Sequence, residues 1–186
     1  MSEGMLGKLR LADVRGPVGD LFEKLASEDG ERWFKVFKRF LRQENPWGLL
    51  PTHIIDCNAR PYIPDGWKVV EHQKGGKFEW NPKKIRLYLS DRQRGNSYIT
   101  GNELRKELKS KKVLNACVLD WLLAHPEFIP EEWKGMFVYF WGTIYRHSDG
   151  YLLVRYLYWD GDKWDWCNCR LDNGWGSRDS AAVLKK

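Results

Sequence analysis

Three apolar blocks near the C-terminus constrain the fold of this chain most. They read "MFVYFWGTIYR" (136–146), "YLLVRYLYW" (151–159) and "KWDWCNCRL" (163–171). They are rich in the aromatic and β-branched residues that favour strands. The turn signals "HSDG" and "DGD" separate them. Because short turns join antiparallel neighbours, the pattern predicts an antiparallel β meander over residues 136–170. Apolar side chains alternate with aromatic ones in the first block, so we expect both faces to be covered.

The residues before the meander have helical patterns. Two amphipathic segments, "GPVGDLFEKLA" with Pro17 in its first turn and "GERWFKVFKRFLRQ" ending at Asn45–Pro46, predict a helical hairpin over residues 1–47. On the second segment the expected apolar stripe is Trp33, Phe37, Phe40 and Leu41.

An α+β domain is predicted over residues 48–186. Residues 48–80 carry closely spaced turn signals, with short strands expected near 52–55 and 67–70. Cap signals predict helices that begin after Asn81, Thr100 and Asn115. Helices first and a meander last predict an α+β fold, with the N-terminal and central helices packed on the C-terminal meander.

Signatures of catalysis and of metal binding are missing from the sequence. The four histidines, at positions 53, 72, 125 and 147, stand in no known catalytic or metal-binding spacing. Cys57 and Cys117 read as core residues, and Cys167-Asn-Cys169 has no second pair at zinc-finger distance. We therefore expect a protein that is not an enzyme and needs no metal or cofactor.

Bulk composition sets the remaining expectations. No run of about 18 apolar residues is present, which predicts no membrane span, and the absence of a signal peptide predicts a cytoplasmic protein. Aromatic residues make up 15% of the chain and the net charge is +6. A single-stranded nucleic-acid-binding protein is therefore the alternative, with bases stacked on sheet aromatics near Arg146, Arg155, Arg170 and Arg178. No RNA-binding signature accompanies them.

The C-terminal third carries a family resemblance. "FVYFWGTIYRHSDGYLLVRYLYWDGDKWDW", then an unpatterned stretch and "SAAV" (180–183), resembles variable proteins of diversity-generating retroelements, of the short type found in uncultured small-genome bacteria. The upstream blocks "KGGKFEWNPKKIRLYLS", "GNELRKEL" and "HPEFIPEEWKG" extend the resemblance to about residues 30–186. In that family a reverse transcriptase copies a template repeat with errors at adenines, and the copy replaces the 3′ end of the gene.

The composition of the unpatterned stretch agrees with this resemblance. Asn codons mutated at their first two bases cannot yield Lys, Glu, Gln, Met or Trp. These five types make up 46 of the 186 residues, yet between Cys167 and Leu184 only Trp175 belongs to them. About four or five would be expected at the chain-wide frequency.

The resemblance implies a ligand-binding protein whose site is diversified. The variable segment spans 165–180, and its ligand is expected to be a macromolecule, a protein rather than a nucleic acid. Trp164, Trp166 and Trp175 would be invariant scaffold anchors, and Arg170 and Arg178 the main energetic contacts. The family's usual fold is C-type-lectin-like. The predicted ligand-binding residues, expected on one exposed face, are Asp165, Cys167, Asn168, Cys169, Arg170, Asp172, Asn173, Gly174, Gly176, Ser177, Arg178, Asp179 and Ser180.

Overall fold

The structure, a computed structural model, describes residues 5–6, 9–42, 53–95 and 97–185, with side chains from residue 15 onward. The chain separates into two compact units, Met1–Thr52 and His53–Lys186. None of the helices in these ranges is long and apolar enough to cross a membrane.

The first unit contains a short hairpin and two helices. Strands β1 (Met5–Leu6) and β2 (Leu9–Arg10) pair antiparallel, and helices α1 (Leu11–Ala26) and α2 (Gly30–Leu41) contact each other. The predicted start of the first helix at Pro17 is wrong, because residues 11–16, which include the good helix formers Leu, Ala and Arg, extend the helix by six residues. The predicted stop at Asn45–Pro46 lies outside the described residues.

The apolar stripe of α2 is displaced from its predicted position. Val36 is its buried residue and Trp33 and Phe37 are half-buried, whereas Phe40 and Leu41 are exposed. A spacing of three residues puts Val36 on the same helix face as Trp33, and the Lys24 ammonium of α1 lies over the Trp33 ring. The face in contact with α1 therefore runs through the middle of α2 and leaves its last turn outside.

The second unit is an α+β domain, as predicted. Its two α-helices lie between the early strands and the late ones, and four of its strands belong to small two-stranded pairings. The elements are β3 (Ile54–Asp56), β4 (Trp67–His72), β5 (Lys77–Glu79), β6 (Ile85–Tyr88), β7 (Ile99–Thr100), α3 (Gly101–Leu108), α4 (Ala116–Ala124), β8 (Phe137–Tyr139), β9 (Thr143–His147), β10 (Leu152–Trp159), β11 (Trp164–Arg170), β12 (Gly174–Trp175) and β13 (Asp179–Leu184).

The main sheet is built around β10. One edge of β10 pairs with β11 along its whole length, and the other edge pairs with β9 and then β8. β9 continues the sheet to β4, and β8 continues it to β13 and β6. Strands β9, β10 and β11 form the predicted antiparallel meander, but β13 runs parallel to β8. The sheet is therefore mixed rather than wholly antiparallel.

The single strand predicted over residues 136–146 is divided at residues 140–142. Gly142 donates its N–H to the Leu114 carbonyl and accepts from the Gln73 N–H, at 2.8 and 2.7 Å. A Cβ at this position would lie 2.8 Å from Asn115 Cβ, so only glycine allows the chain so close to the start of α4. The interruption lets β8 and β9 pair with different strands on their outer edges.

The cap signals are confirmed, but one predicted helix is wrong. Thr100 forms a capping box with Glu103, and the Asn115 side chain accepts from the Cys117 N–H. Asn81 also caps a helix start, but only a 3₁₀ turn (82–84) follows before β6 begins. The reason is tertiary, because β6 pairs with β13 over four residues and buries Ile85.

Side chains of the main sheet divide between two covered faces. The α4 face carries Val138, Arg155 and Leu157, and the helix α4 packs on it. The Trp175 face carries Tyr139, Val154 and Ala181 and packs against Trp175 and α3 residues such as Leu104. The strict alternation of strand side chains places neighbours in sequence on opposite faces.

Arg155 is the one cation buried in this sheet. Its side chain is 1% exposed, and Nη1 donates to Asp120 Oδ1 of α4 at 2.7 Å. The second Asp120 oxygen accepts the Tyr62 N–H at 2.8 Å. The guanidinium also lies 4.2 Å from the ring centroid of Trp166 in β11. One ion pair thus joins α4, the 59–63 segment and strands β10 and β11.

We expect Arg155→Met to lower the free energy of unfolding by about 3–5 kcal/mol, because it leaves the Asp120 carboxylate without its partner. Urea unfolding followed by tryptophan fluorescence measures the loss. Arg170→Met, which removes an exposed ion pair with Asp149, serves as the control and should cost less than about 1 kcal/mol. Equal losses in the two variants would contradict the role given to Arg155.

Candidate ligand-binding surface

Strand β11 divides the variable segment between the two faces of the sheet. Asp165, Cys167 and Cys169 pair with Tyr158, Tyr156 and Val154 and so lie on the Trp175 face. Trp164, Trp166, Asn168 and Arg170 lie on the α4 face. Among the described strands β11 pairs with β10 alone, so it forms an edge of the sheet. The expectation of one shared face is therefore wrong, because strand geometry separates alternate residues.

An aromatic patch lies beside β11 on the Trp175 face. We use this name for Phe137, Tyr156 and Tyr158, which are all half-buried. The Phe137 ring centroid lies 5.2 Å from that of Tyr156 and 6.4 Å from that of Tyr158. The patch lies outside residues 165–180, and the sequence-based list of binding residues missed it. The alternation of strand side chains was the available signal, since it places Tyr156 and Tyr158 on one face.

Trp175 anchors the loop that leads from β11 to β13. It is fully buried, with ring centroids 4.1 Å from Tyr139 and 4.8 Å from Trp141. Its indole N–H donates to the Arg170 carbonyl at 3.4 Å. Burial of so large a side chain contributes roughly 3 kcal/mol or more, so this loop is held by its anchor rather than by its exposed residues.

The start of α3 forms backbone hydrogen bonds with the same loop. The Asn102 N–H donates to the Leu171 carbonyl at 2.8 Å, and Thr100 pairs with Gly174 through β7 and β12. A Cβ on Gly101 would lie 2.8 Å from Leu171 Cα, so glycine is required for this close approach. Leu171 is buried, whereas Asp172 and Asn173 are exposed at the turn.

Asp179 closes a tight turn at the end of the variable segment. Its carboxylate accepts the Gly176 N–H at 2.6 Å and the Tyr139 hydroxyl at 3.2 Å. Burial, and then the Asp179 charge, raises the pKa of Tyr139, so this hydroxyl stays a donor. The buried Gln93 amide donates to the Gly176 and Asp179 carbonyls at 3.0 and 2.7 Å. The polar groups of this turn are therefore used in internal hydrogen bonds, and we call such residues framework residues, as distinct from residues that could contact a ligand.

Ser177 and Arg178 form the exposed tip of that turn. The Arg178 guanidinium lies 5.0 Å from the centre of the Phe137 ring, so it reaches the aromatic patch. On the β11 side of the patch, the Asn173 amide donates to Cys169 Sγ at 3.5 Å. The Trp175 face thus brings residues of β11 and of the turn to opposite borders of one patch.

The α4 face holds the other predicted binding residues. The Arg170 guanidinium lies 3.7 Å from the Tyr151 ring centroid and pairs with Asp149 at 3.4 Å. Asn168 lies opposite Arg155 in the register of β10 and β11 and is half-buried. Arg170 and Arg178 are therefore on different faces and belong to different surfaces.

Three predicted binding residues are framework residues instead. Gly176 and Ser180 are buried, and the Asp179 carboxylate accepts a hydrogen bond from the Gly176 N–H within the turn. Ser180 Oγ has no hydrogen-bond partner among the described residues. Gly174 is exposed beside Tyr98. Among the predicted anchors, Trp175 is fully buried, whereas Trp164 and Trp166 are half-buried on the α4 face.

Thr143, His72 and Cys57 form a hydrogen-bond network at the start of helix α4. The Ala116 N–H donates to Thr143 Oγ1, which contacts His72 Nδ1 at 2.9 Å, and His72 Nε2 contacts the Cys57 carbonyl at 3.1 Å. A carbonyl can only accept, so His72 Nε2 carries a proton and donates to the Cys57 carbonyl. Cys117 Sγ is 3.9 Å from Nε2, which has no lone pair to offer it. This arrangement does not activate the thiol.

Both of these thiols are held in the neutral form. Burial raises the pKa of Cys57 to about 11 and that of Cys117 to about 12. The Cys117 thiol donates to the Ala59 carbonyl at 3.3 Å. Within the described residues no group of three or more His, Cys, Asp or Glu side chains could hold a metal ion.

Comparison of the chain with protein-family models, with curated proteins and with solved structures finds no match.

Asp179→Ala should lower the free energy of unfolding by about 1–3 kcal/mol, because it leaves the Gly176 N–H and the Tyr139 hydroxyl without an acceptor. The neighbouring Ser180→Ala should be neutral or stabilise by up to about 1 kcal/mol, since it removes a buried hydroxyl without a partner. Thermal unfolding of the two variants measures both effects. A larger loss for Ser180→Ala than for Asp179→Ala would contradict this division.

The rate of cysteine alkylation should differ sharply between the two buried thiols, Cys57 and Cys117, and the half-exposed Cys167. At pH 8 only about one thiol in a thousand ionises when its pKa is about 11, so Cys57 and Cys117 should resist iodoacetamide in the folded protein. Half-exposed Cys167 should be alkylated much faster. Peptide mass spectrometry over a time course measures the rates, with urea-unfolded protein as the control. Rapid labelling of folded Cys117 would argue for an activated thiol.

Proposed function

We propose that this chain is a non-enzymatic binding protein whose ligand surface is diversified by retroelement-driven mutagenesis at adenines. The observation that carries the proposal is the separation of side chains along residues 165–180. Leu171 and Trp175 are buried, while Cys167, Ser177 and Arg178 lie outside the core around a patch of half-buried aromatic residues. A site that varies needs this arrangement, since exposed substitutions usually change stability by less than about 0.5 kcal/mol.

The proposed contact surface is narrower than the whole variable segment. It comprises Asp165, Cys167 and Cys169 on β11, with Ser177 and Arg178 on the turn, around the aromatic patch. Tyrosine and phenylalanine supply contact area at low entropic cost, so a constant patch provides binding energy that the variable residues direct. Asn168 and Arg170 belong to a second surface on the α4 side, and Asp172 is exposed at the turn that follows β11.

The ligand is proposed to be a protein. The contact residues project from a sheet face and an exposed turn rather than from the walls of a cleft, and a face of this kind suits a macromolecular partner. A C-type-lectin-like fold with a mixed sheet is part of the proposal.

The alternative of a nucleic-acid-binding sheet has weaker support at this surface. Its four arginines would need to flank stacked bases on one face. Arg155 is buried against Asp120, Arg170 lies against Tyr151 on the α4 face, and Arg146 donates to the Gly150 carbonyl. Arg178 alone among the four reaches the aromatic patch.

A codon-restricted library tests the proposal. Positions 165, 167, 169, 177 and 178 are randomised together with codons that end in a pyrimidine, and a control library randomises 171, 175, 176, 179 and 180. We expect most members of the first library, and few of the second, to survive proteolysis on the surface of yeast, because the control positions hold the turn and core. Similar survival in the two libraries would contradict the division into framework and contact residues.

Genomic sequence tests the mechanism of diversification separately. We expect a second copy of the 3′ end of the gene nearby, differing from it at adenines, together with a reverse transcriptase gene. A repeat whose differences fall evenly on all four bases would exclude adenine-directed mutagenesis even if the library result stands.

A further inference from the structure

Basic side chains converge on a groove beside β13. The groove has a volume of about 850 Å³, and its lining includes Arg86, Lys111, Lys112 and Lys185. No aspartate or glutamate belongs to that lining. A concave surface lined by one sign of charge concentrates the field and raises the local concentration of oppositely charged ligands.

The sheet register explains why these segments meet. Arg86 of β6 and Val113 both pair with Val183 of β13, on its two edges, so Arg86 lies on the same side of the sheet as Val183. The Leu184 N–H donates to the Lys112 carbonyl at 2.9 Å, and Lys112 lines both the groove and a neighbouring pocket. Neighbouring strands lie about 4.8 Å apart, so the two outer backbones are separated by about 10 Å. The positive charges therefore span more than one phosphate group.

Most of these cations have no anionic partner in the described part of the chain. Arg86, Lys112 and Lys185 are exposed and form no ion pair with a described residue. The Lys111 ammonium lies 4.2 Å from the centre of the Tyr88 ring, and the Arg86 guanidinium lies 5.7 Å from it. Contacts with a neutral ring leave both positive charges available to a ligand.

A smaller pocket continues the groove. Its volume is about 330 Å³, within the usual size range of small-molecule sites, and it shares Lys112 and Leu184 with the groove. Phe78 and Leu114 give it apolar walls, and Lys74 adds a further cation. A planar ring that stacks on Phe78 would have a phosphate-binding groove directly beside it.

We infer that the groove and its pocket bind single-stranded nucleic acid, with phosphates on the cations and one base against Phe78. Single strands combine several phosphates with an exposed base face, and proteins bind them through basic grooves with aromatic platforms. A lone phosphate would use only part of the cation set. An acidic peptide would use the cations, but its carboxylates supply no ring for Phe78.

This site is independent of the proposed ligand surface. The groove lies at β6 and β13, whereas the variable residues project from β11 and from the turn before β13. None of the lining residues of the groove belongs to residues 165–180. A variant of either site can therefore be measured with the other intact.

Fluorescence anisotropy with a labelled oligothymidylate of about 15 nucleotides tests the inference on the full-length protein. We expect micromolar binding at low salt that weakens as salt rises. Five phosphate contacts predict a slope of about −3.5 for log K against log salt concentration. A triple variant, Arg86→Glu, Lys112→Glu and Lys185→Glu, should weaken binding at least about tenfold.

A matched control separates the groove from net charge. Arg60→Glu, Lys68→Glu and Lys106→Glu change three exposed residues outside the groove by the same total charge. Binding by this triple variant should stay within about threefold of the wild type. Thermal unfolding confirms that both triple variants are folded, and Cys167→Ser with Arg178→Ala should bind the oligonucleotide as the wild type does.

Phe78→Leu tests the base-stacking step without emptying the pocket, and it should weaken binding at least about fivefold. Equal binding by the groove variant and the control triple variant would overturn the inference, as would no binding by the wild type at low salt. Equal affinity for an oligoglutamate peptide of similar length would overturn the choice of nucleic acid. Loss of binding in the Cys167 and Arg178 variant would move the site to the variable surface.

Discussion

The buried ion pair between Arg155 and Asp120 is the constraint on which the second unit depends. A guanidinium in the core must have its charge compensated, and here one carboxylate of α4 does so while also accepting the Tyr62 N–H. The same guanidinium lies over Trp166. Helix, loop and both strands of the β10–β11 hairpin are therefore positioned by a single charged group.

That positioning holds in place an edge strand whose side chains are mostly half-buried. An edge strand is held on one side only, so its other contacts must come from its faces. On the α4 face Trp164 and Trp166 supply them, and beyond the strand Trp175 is enclosed by Tyr139 and Trp141. On the Trp175 face, Cys167 belongs to neither core cluster. Scaffold and contact residues alternate along seven residues of chain.

The two proposed binding surfaces differ in their charge. The proposed ligand surface combines an aromatic patch with side chains of mixed polarity, and Arg178 is its single arginine. The inferred nucleic-acid site gathers its cations on β6, β13 and the segment before Leu114. The net charge of +6 is thus unevenly placed. Much of the excess lies where the sheet register brings three segments side by side.

Local chemistry in the sequence determined the α+β class, the caps at Thr100 and Asn115 and the meander turns, because each depends on residues within a few positions. Tertiary structure decided the rest. β6 replaced a predicted helix because β13 offered it a partner, and Gly142 divided a strand because α4 begins against it. The variable segment was visible as a lack of pattern. Which of its residues face outward depended on strand register and on the Asp179 turn, and both are set by contacts with segments distant in the chain.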